Sequence, residues 1–385
     1  MKVGIDATNI GSGGGVTHLK EILNNFNHEM FKNDIEKIIV FSSKKVLDQL
    51  NDFHFLQKKT YDDLNKGLLS RVYFQLFKFD KEIDKYCDIL YSLTGDYIGK
   101  FVPVVSMSRN MLLHERDVWK DIKSPKEILG HWLRYKRQEK CFKKSKAIIF
   151  ISKYAKEYIS KSLPLDQINK STIYHGISSR FFSSINKQKH IREYSFNNPF
   201  KFLYVSTIHV YKNHINLIKA ITKLRENGHP IILNLVGGVI FKPEAEKLFK
   251  LMNKVDPNKE FIFYHGSLDY EKIDHFYKSS NGIIYASTCE NMPNILIESM
   301  ASGMPIACSD KEPMPEFLKQ GGFYFNAKSV SSITEVLKVY LESPEDRNSK
   351  AKISIDLAKE FSWKKTSNQT FKYINQIYNN KIEDK

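Results

Sequence analysis

Residues 285–305 read YASTCENMPNILIESMASGMP, and this stretch decides the fold. An apolar run at 282–286 predicts a strand. A turn follows at Asn291, Met292, Pro293 and Asn294, and a helical pattern occupies 295–301. Gly303 and Pro305 stop that helix, since Gly takes the left-handed C-terminal position and Pro cannot continue it. A strand, turn and helix in this order aim helix N-terminal amides at an anion above the turn. Glu290 lies at the rim of the turn, and Glu298 about two helical turns further on. Two carboxylates so placed can bracket an elongated polar ligand. The plain alternative is a pair of solvated glutamates on a surface helix.

The wording of the stretch adds to its spacing. Glu290, NMPNILI, Glu298, SMAS, Gly303, Met304, Pro305 resembles the donor-binding segment of the family 4 glycosyltransferases, retaining enzymes of the GT-B fold. The resemblance is close from about residue 200 to the end, and looser over the first 190 residues. It implies an α/β protein of two Rossmann-like doubly wound domains facing across a cleft. The expected N-terminal, acceptor-side domain is 1–185, and the nucleotide-sugar domain is 199–360. A terminal helix, 361–385, crosses back to the first domain.

The pattern along the chain agrees with an alternating α/β organisation. Strands are expected at 2–6, 38–41, 89–92, 102–107 and 147–152, with a strand and turn at 171–181. Helices are expected at 68–86 and 127–145, the first with Val72, Leu76, Phe79 and Ile83 on its apolar face. The polar stretch 183–198 lacks a period and reads as an interdomain linker. A second alternation has strands at 202–206, 231–236, 261–265, 282–286 and 305–308. Helices at 214–226, 245–253, 270–279, 330–341, 349–359 and 361–379 accompany it.

A chain of 385 residues is long enough for two domains with real cores. Its net charge of +16 implies attraction to polyanions, although the lysines are spread along the whole chain. No aromatic-basic recognition motif or basic stripe accompanies that charge, so nucleic acid is not an expected partner. The four cysteines show no metal spacing and read as reduced, partly buried small hydrophobes. The N-terminus, MKVGIDATN, reads as a first strand and not as a signal peptide, and no apolar run approaches about 18 residues. A cytoplasmic location is expected. The helix at 128–133, with Trp132 and Leu133 leading into RYKRQEKCFKKSK, is either an anchor on an anionic membrane or a packed helix with a solvated basic face.

Residues 9–16, NIGSGGGV, form a glycine-rich loop after the first strand. Val16 stands where a dinucleotide fingerprint needs its third Gly, and the Gly-Lys-Ser/Thr of a phosphate loop is absent. The loop does resemble the first-strand glycine loop of the family, which implies a donor role for Gly14 and Gly15.

A nucleotide-sugar donor breaks the bond between its anomeric carbon and its diphosphate. Charge develops on the leaving phosphate, so the site needs fixed positive groups. Lys212, just past a strand end in VSTIHVYKNH, is the first choice for the phosphates, beside Ser206. The family usually has an Arg where this chain has Thr207, which removes one cation. Arg109 or His209 are the candidates to replace it. The amides of Asn294, Ile295, Leu296 and Ile297 favour the same anion. The resemblance implies that Glu290 contacts sugar hydroxyls and Glu298 the ribose, with Asn291 and Pro293 in the donor turn. Glu316 matches a recurrent family Glu and is as readily structural. Arg109 suits a phosphate of acceptor or donor, and Asn110 and His114 lie on the acceptor side.

There is no Asp-x-Asp motif and no cluster suited to a divalent ion, so no metal and no resident cofactor are expected, the nucleotide sugar being a substrate. The resulting expectation is a retaining, metal-independent transferase. It takes a UDP- or GDP-sugar and a lipid-linked or oligosaccharide acceptor in surface-polysaccharide assembly. The alternatives are a soluble or phospholipid acceptor, or a catalytically silent partner subunit.

Overall fold

The computed structural model describes residues 1–269 and 272–383. The chain forms two compact units. The first comprises residues 1–114, 124–176 and 362–385, and the second 115–123 and 177–361.

The first unit holds a sheet of seven parallel strands. They are β1 (Lys2–Asp6), β2 (Lys37–Phe41), β3 (Leu56–Lys59), β4 (Ile89–Ser92), β5 (Val104–Ser108), β6 (Ala147–Phe150) and β7 (Asn169–Thr172), in the order β3-β2-β1-β4-β5-β6-β7. The second unit holds six parallel strands. They are β8 (Phe200–Val205), β9 (Ile231–Val236), β10 (Ile262–Tyr264), β11 (Gly282–Tyr285), β12 (Ile306–Ser309) and β13 (Gly322–Phe325), in the order β10-β9-β8-β11-β12-β13. Both sheets thus have the doubly wound order of a Rossmann-like domain, as the alternating sequence pattern requires.

The central strands read as continuous apolar runs because helices cover both faces of a parallel sheet. Val3 pairs with both Ile38 and Ile89, and Ile283 with both Leu203 and Ile306, and all six are buried. Strand order reverses between β1 and β4, and again between β8 and β11. At such a reversal the following loops splay to opposite sides, and the crevice at the carboxyl edge of the sheet is where ligands collect.

Several expected elements differ in detail. The helix read over 68–86 is two helices, Leu68–Phe77 and Phe79–Tyr86, broken at Lys78. Phe79 and Ile83 are buried as expected, but Leu76 points to solvent, and Phe74 and Gln75 turn inward instead. The helix placed over 270–279 runs Ile273–Ser279, and Tyr270 and Glu271 lie outside the described residues. The stretch 183–198 belongs to the second unit. The buried Arg347 ties it there, donating to the Lys189 carbonyl (2.5 Å) and to Gln188 Oε1 (3.2 Å).

The last helix, Trp363–Glu383, is part of the first unit. Ser367 Oγ donates to the Ile22 carbonyl (2.7 Å), and the Phe371 ring meets Phe26 edge-on at 4.7 Å. A Cβ on Gly176 would lie 2.0 Å from the Trp363 backbone nitrogen, so only glycine lets this helix start so close.

Candidate functional site

In the second unit, the loops after β8 and β11 lie side by side at the point where strand order reverses. After β8 the chain makes a tight turn at Val210–Lys212, passes Asn213 in the left-handed region (φ 52°), and enters the helix His214–Glu226. Asn accepts that backbone better than most residues. Its side chain then fastens the two loops together. Nδ2 donates to the Ala286 carbonyl (2.9 Å) and to Thr288 Oγ1 (3.2 Å), while the Thr288 amide donates to the Tyr211 carbonyl (2.9 Å).

This clasp sets Lys212 against Glu290. Lys212 Nζ forms an ion pair with Glu290 Oε1, and Tyr285 Oη donates to the same oxygen (2.8 Å). Both bonds end on Oε1 and so leave Oε2 to accept from elsewhere. Tyr204 Oη holds the Lys212 carbonyl (2.8 Å), which fixes the turn from below. Side-chain exposure is 8% for Lys212 and 16% for Glu290, so the pair is largely removed from water.

Burial pulls the Lys212 pKa down, but the Glu290 charge, Tyr204 and the hydrogen bond outweigh it, and the net shift is upward. Lys212 is therefore a fixed ammonium at neutral pH. Burial first, then the Glu290 charge, pushes the Tyr285 phenol well above its ordinary value, so it stays a donor. Burial also pushes the Cys289 thiol well up, with the charges of Glu115 and Glu290 adding to it, which is the opposite of an activated nucleophile.

The expected donor residues fall around this pair. Pro293 precedes the helix Asn294–Ala301, which Gly303 ends at φ 70°. Glu298 is buried in the second turn of that helix, and Asn291 is buried in the loop before it. The amides expected to face an anion are fewer than four. That of Asn294 bonds the Met292 carbonyl (3.0 Å) and that of Ile297 the Pro293 carbonyl (3.1 Å), while the Ile295 carbonyl accepts from Ser299 Oγ (2.8 Å). Ser206 is buried at the end of β8, with Thr207 next to it. His209 packs its ring between Tyr211 (4.5 Å) and Phe241 (5.2 Å), in an aromatic stack. Glu316 sits half-buried in the short helix Met314–Leu318.

The first unit has its own polar crevice where β1 and β4 part. Gly14 and Gly15 were expected in the loop 9–16, but the helix Gly14–Asn24 begins inside that stretch. They form its first turn, behind Gly13 at φ 66°. Arg109, just after β5, points its guanidinium at this turn. A Cβ on Gly15 would lie 3.3 Å from Arg109 Nη1. Arg109 Nε is buried and has no hydrogen-bond partner among the described residues. Burial lowers the Arg109 pKa to about 10, opposed among the described residues by the Tyr91 phenol and by no carboxylate. Asn110 caps the following turn by accepting from the Leu112 amide (3.0 Å). His114 lies in the interior of this unit, with Nε2 2.6 Å from Gln138 Oε1 and its ring parallel to Phe142.

Sequence reasoning missed a buried polar network beside this crevice. Asp6 Oδ1 accepts from the Thr8 amide (3.1 Å) and hydroxyl (2.7 Å). Gln75 Nε2 donates to Thr8 Oγ1 (2.6 Å), Arg137 Nη2 to Gln75 Oε1 (2.7 Å), and Asn9 Nδ2 to Asp96 Oδ2 (2.7 Å). Burial, with the nearby Asp96 charge, raises the Asp6 pKa to about 6. Its members come from four distant segments, so no local motif announced it. Tyr285 was equally invisible as a site residue, since it looks like ordinary strand sequence.

Comparison with known proteins bears on these observations. Residues 186–355 match the family of glycosyl transferases group 1. Over 174 residues the chain is 25% identical to O-antigen chain mannosyltransferase B of Escherichia coli, a stretch covering 44% of each protein. The chain thus spans less than half the length of that curated relative. Among solved structures, sucrose-phosphate synthase from Thermosynechococcus elongatus superposes with a TM-score of 0.76 at 14% identity, covering 98% of this chain and 99% of the other. HepE of Anabaena, solved in complex with UDP-glucose, superposes with a TM-score of 0.68 at 15% identity over 100% of both chains. The fold is therefore GT-B, an α/β architecture of two Rossmann-like domains.

Proposed function

We propose that this GT-B protein, with its glycosyl transferases group 1 segment, moves a sugar from a UDP- or GDP-sugar to an acceptor hydroxyl. The acceptor is a lipid-linked glycan or oligosaccharide in surface-polysaccharide assembly. Transfer retains the anomeric configuration and needs neither metal nor resident cofactor. The protein works in the cytoplasm, at the inner face of the membrane. The observation that carries the reading is the buried Lys212–Glu290 pair at the reversal point of the C-terminal sheet, inside the segment that matches the family. The mannosyltransferase relative supports the polysaccharide setting, and the UDP-glucose complex of HepE supports a nucleotide-sugar donor.

The chemistry follows from the charges. As the anomeric carbon–oxygen bond breaks, the electron pair leaves with the diphosphate, the electron-poor anomeric carbon bonds the acceptor oxygen, and the acceptor proton passes to the departing phosphate. The Lys212 ammonium, already fixed by Glu290, stabilises the departing phosphate without reorganising. Glu290 Oε2 accepts from a sugar hydroxyl and so orients the ring. Glu298 accepts from the ribose. Thr207 supplies no positive charge, so Lys212 carries more of the diphosphate here than in relatives with an Arg. Arg109, a buried cation without a counter-charge, binds a phosphate of the substrate it meets.

A panel of nucleotide sugars tests the reading, scored for thermal stabilisation and for slow donor hydrolysis. One donor should raise the melting temperature and be hydrolysed. Stabilisation without hydrolysis or transfer would favour a catalytically silent subunit, and no stabilisation by any member would overturn the reading.

A further inference from the structure

A cavity of 510 Å³ opens in the first unit. Its walls are the turn just past the carboxyl end of β3, the helix Asp62–Asn65, and the helices Leu68–Phe77 and Phe79–Tyr86. The break at Lys78 between the last two helices forms part of the wall. Small-molecule sites commonly enclose about 300–1,000 Å³, so the volume suits a ligand.

The lining combines aromatic rings with charged groups. The Tyr61 and Phe74 rings lie 4.8 Å apart, and Phe77 at the end of its helix is 66% exposed. Two of the carboxylates are already held. Asp63 accepts from Ser70 Oγ (2.9 Å) and from Lys78 Nζ (2.6 Å), and Tyr61 Oη donates to Glu82 Oε2. Asp62 and Lys81 are exposed, and their side chains make no hydrogen bond among the described residues.

These groups select an occupant by exclusion. Three carboxylates outnumber two ammonium groups here, in a chain of net charge +16, so an anion would meet its own sign. Among the described residues no cluster of side chains could hold a metal ion. A purely apolar ligand would strip water from the charges and return no hydrogen bond. A neutral sugar satisfies the whole lining. The C–H face of its ring lies over an aromatic ring, while its hydroxyls donate to carboxylates and accept from ammonium groups.

We propose that this cavity binds neutral sugar residues of the acceptor glycan, behind the residue that receives the new bond. Phe77 stacks on a ring face, Asp62 accepts from a hydroxyl, and Lys81 donates to one. Phe74 and Gln75 are consecutive in one helix. The first lines the cavity, while Gln75 Nε2 donates to the Thr8 hydroxyl beside Asp6 (2.6 Å). Several linked sugars can therefore lie in the cavity while their end reaches the polar crevice of the same unit. The identity of the occupant as an acceptor rests on the transferase reading. To that reading it adds an acceptor of several sugars, in place of a single sugar or a phospholipid headgroup.

The test is retention of the full chain on an array of neutral mannose, glucose and galactose oligosaccharides, from one to six residues long, beside sulfated members of each series. One neutral series should be retained more strongly as it lengthens. Phe77→Ser should weaken that retention about tenfold, and Phe77→Tyr should keep most of it. Asp62→Asn/Lys81→Gln should weaken it several-fold. Leu69→Ser, on the same helix but outside the lining, should bind as the parent does. Should Phe77→Ser lower the melting temperature, the Asp62→Asn/Lys81→Gln protein carries the expectation alone. No retention by the parent, equal retention by parent and both cavity variants, or a preference for sulfated members would overturn the proposal. So would a loss in Leu69→Ser as large as in Phe77→Ser. Stabilisation by nucleotide sugars is read separately. A parent stabilised by a donor but retained by no glycan loses this site and keeps the transferase reading, and the reverse result keeps the site and loses the reading.

Discussion

Lys212 and Glu290, 78 residues apart in sequence, meet as a largely buried ion pair at the carboxyl edge of the C-terminal sheet. Neither residue is safe without the other. Removing one partner of a buried pair typically costs about 3–5 kcal/mol, because the survivor is left charged out of water. Lys212→Met and Glu290→Gln should each lower stability in urea titrations. The double variant should be more stable than the sum of the single losses predicts, with a coupling of about 0.5–3 kcal/mol. Simple additivity would mean that the two groups do not sense each other.

Asp6 gives a pH signature of opposite character. Its folded pKa is raised from 3.8 to about 6, through burial and the Asp96 charge against the opposing Thr8 bonds. A raised folded pKa contributes stability that is full below the unfolded value and is lost as pH rises through the folded one. Between about pH 3.5 and pH 7 the parent should therefore lose about 3 kcal/mol relative to Asp6→Asn. Only the difference between the two proteins isolates the group, because His214, whose burial lowers its pKa to about 3, slopes the other way over much of that range. Parallel pH profiles of parent and variant would contradict the assignment.

Arg109 separates stability from activity. Among the described residues its buried guanidinium has no acidic partner, and one of its nitrogens has no hydrogen bond. Arg109→Met should raise stability by about 1–3 kcal/mol, the cost of a buried unpaired polar group, while turnover falls. Lower stability with unchanged turnover would make Arg109 a structural residue.

Metal dependence is checked by chelation. If Lys212 and Arg109 neutralise the phosphate charge, activity should survive EDTA with donor and acceptor saturating. Loss of activity that Mg²⁺ or Mn²⁺ restores would require a different account of the leaving group.

Much of this was legible in the sequence for local reasons. Strand, turn and helix around Glu290 carry their own punctuation in Pro293, Gly303 and Pro305, and Lys212 follows an unmistakable buried strand. Short edge strands were not legible. β3 reads LQKK, with neither alternation nor an apolar run, and only its pairing with β2 makes it a strand. Helix Leu68–Phe77 shows a different limit. Periodicity identifies which residues share a face, but not whether that face meets the core or the solvent, and here the expected inward residue Leu76 points out. The Asp6 network and the Arg347 tie join residues far apart in sequence, through contacts that no window of the chain contains.

The most direct test of the central claim is the turnover of Lys212→Ala with the cognate donor, measured beside donor affinity. Removing one preorganised charge at the leaving group should lower kcat by about 10²–10³, with a smaller change in affinity. Lys212→Arg should recover only part, since a planar fork does not occupy the place of a compact ammonium. A folded Lys212→Ala protein with near-parental kcat would show that the diphosphate is stabilised elsewhere, and would contradict the site described here.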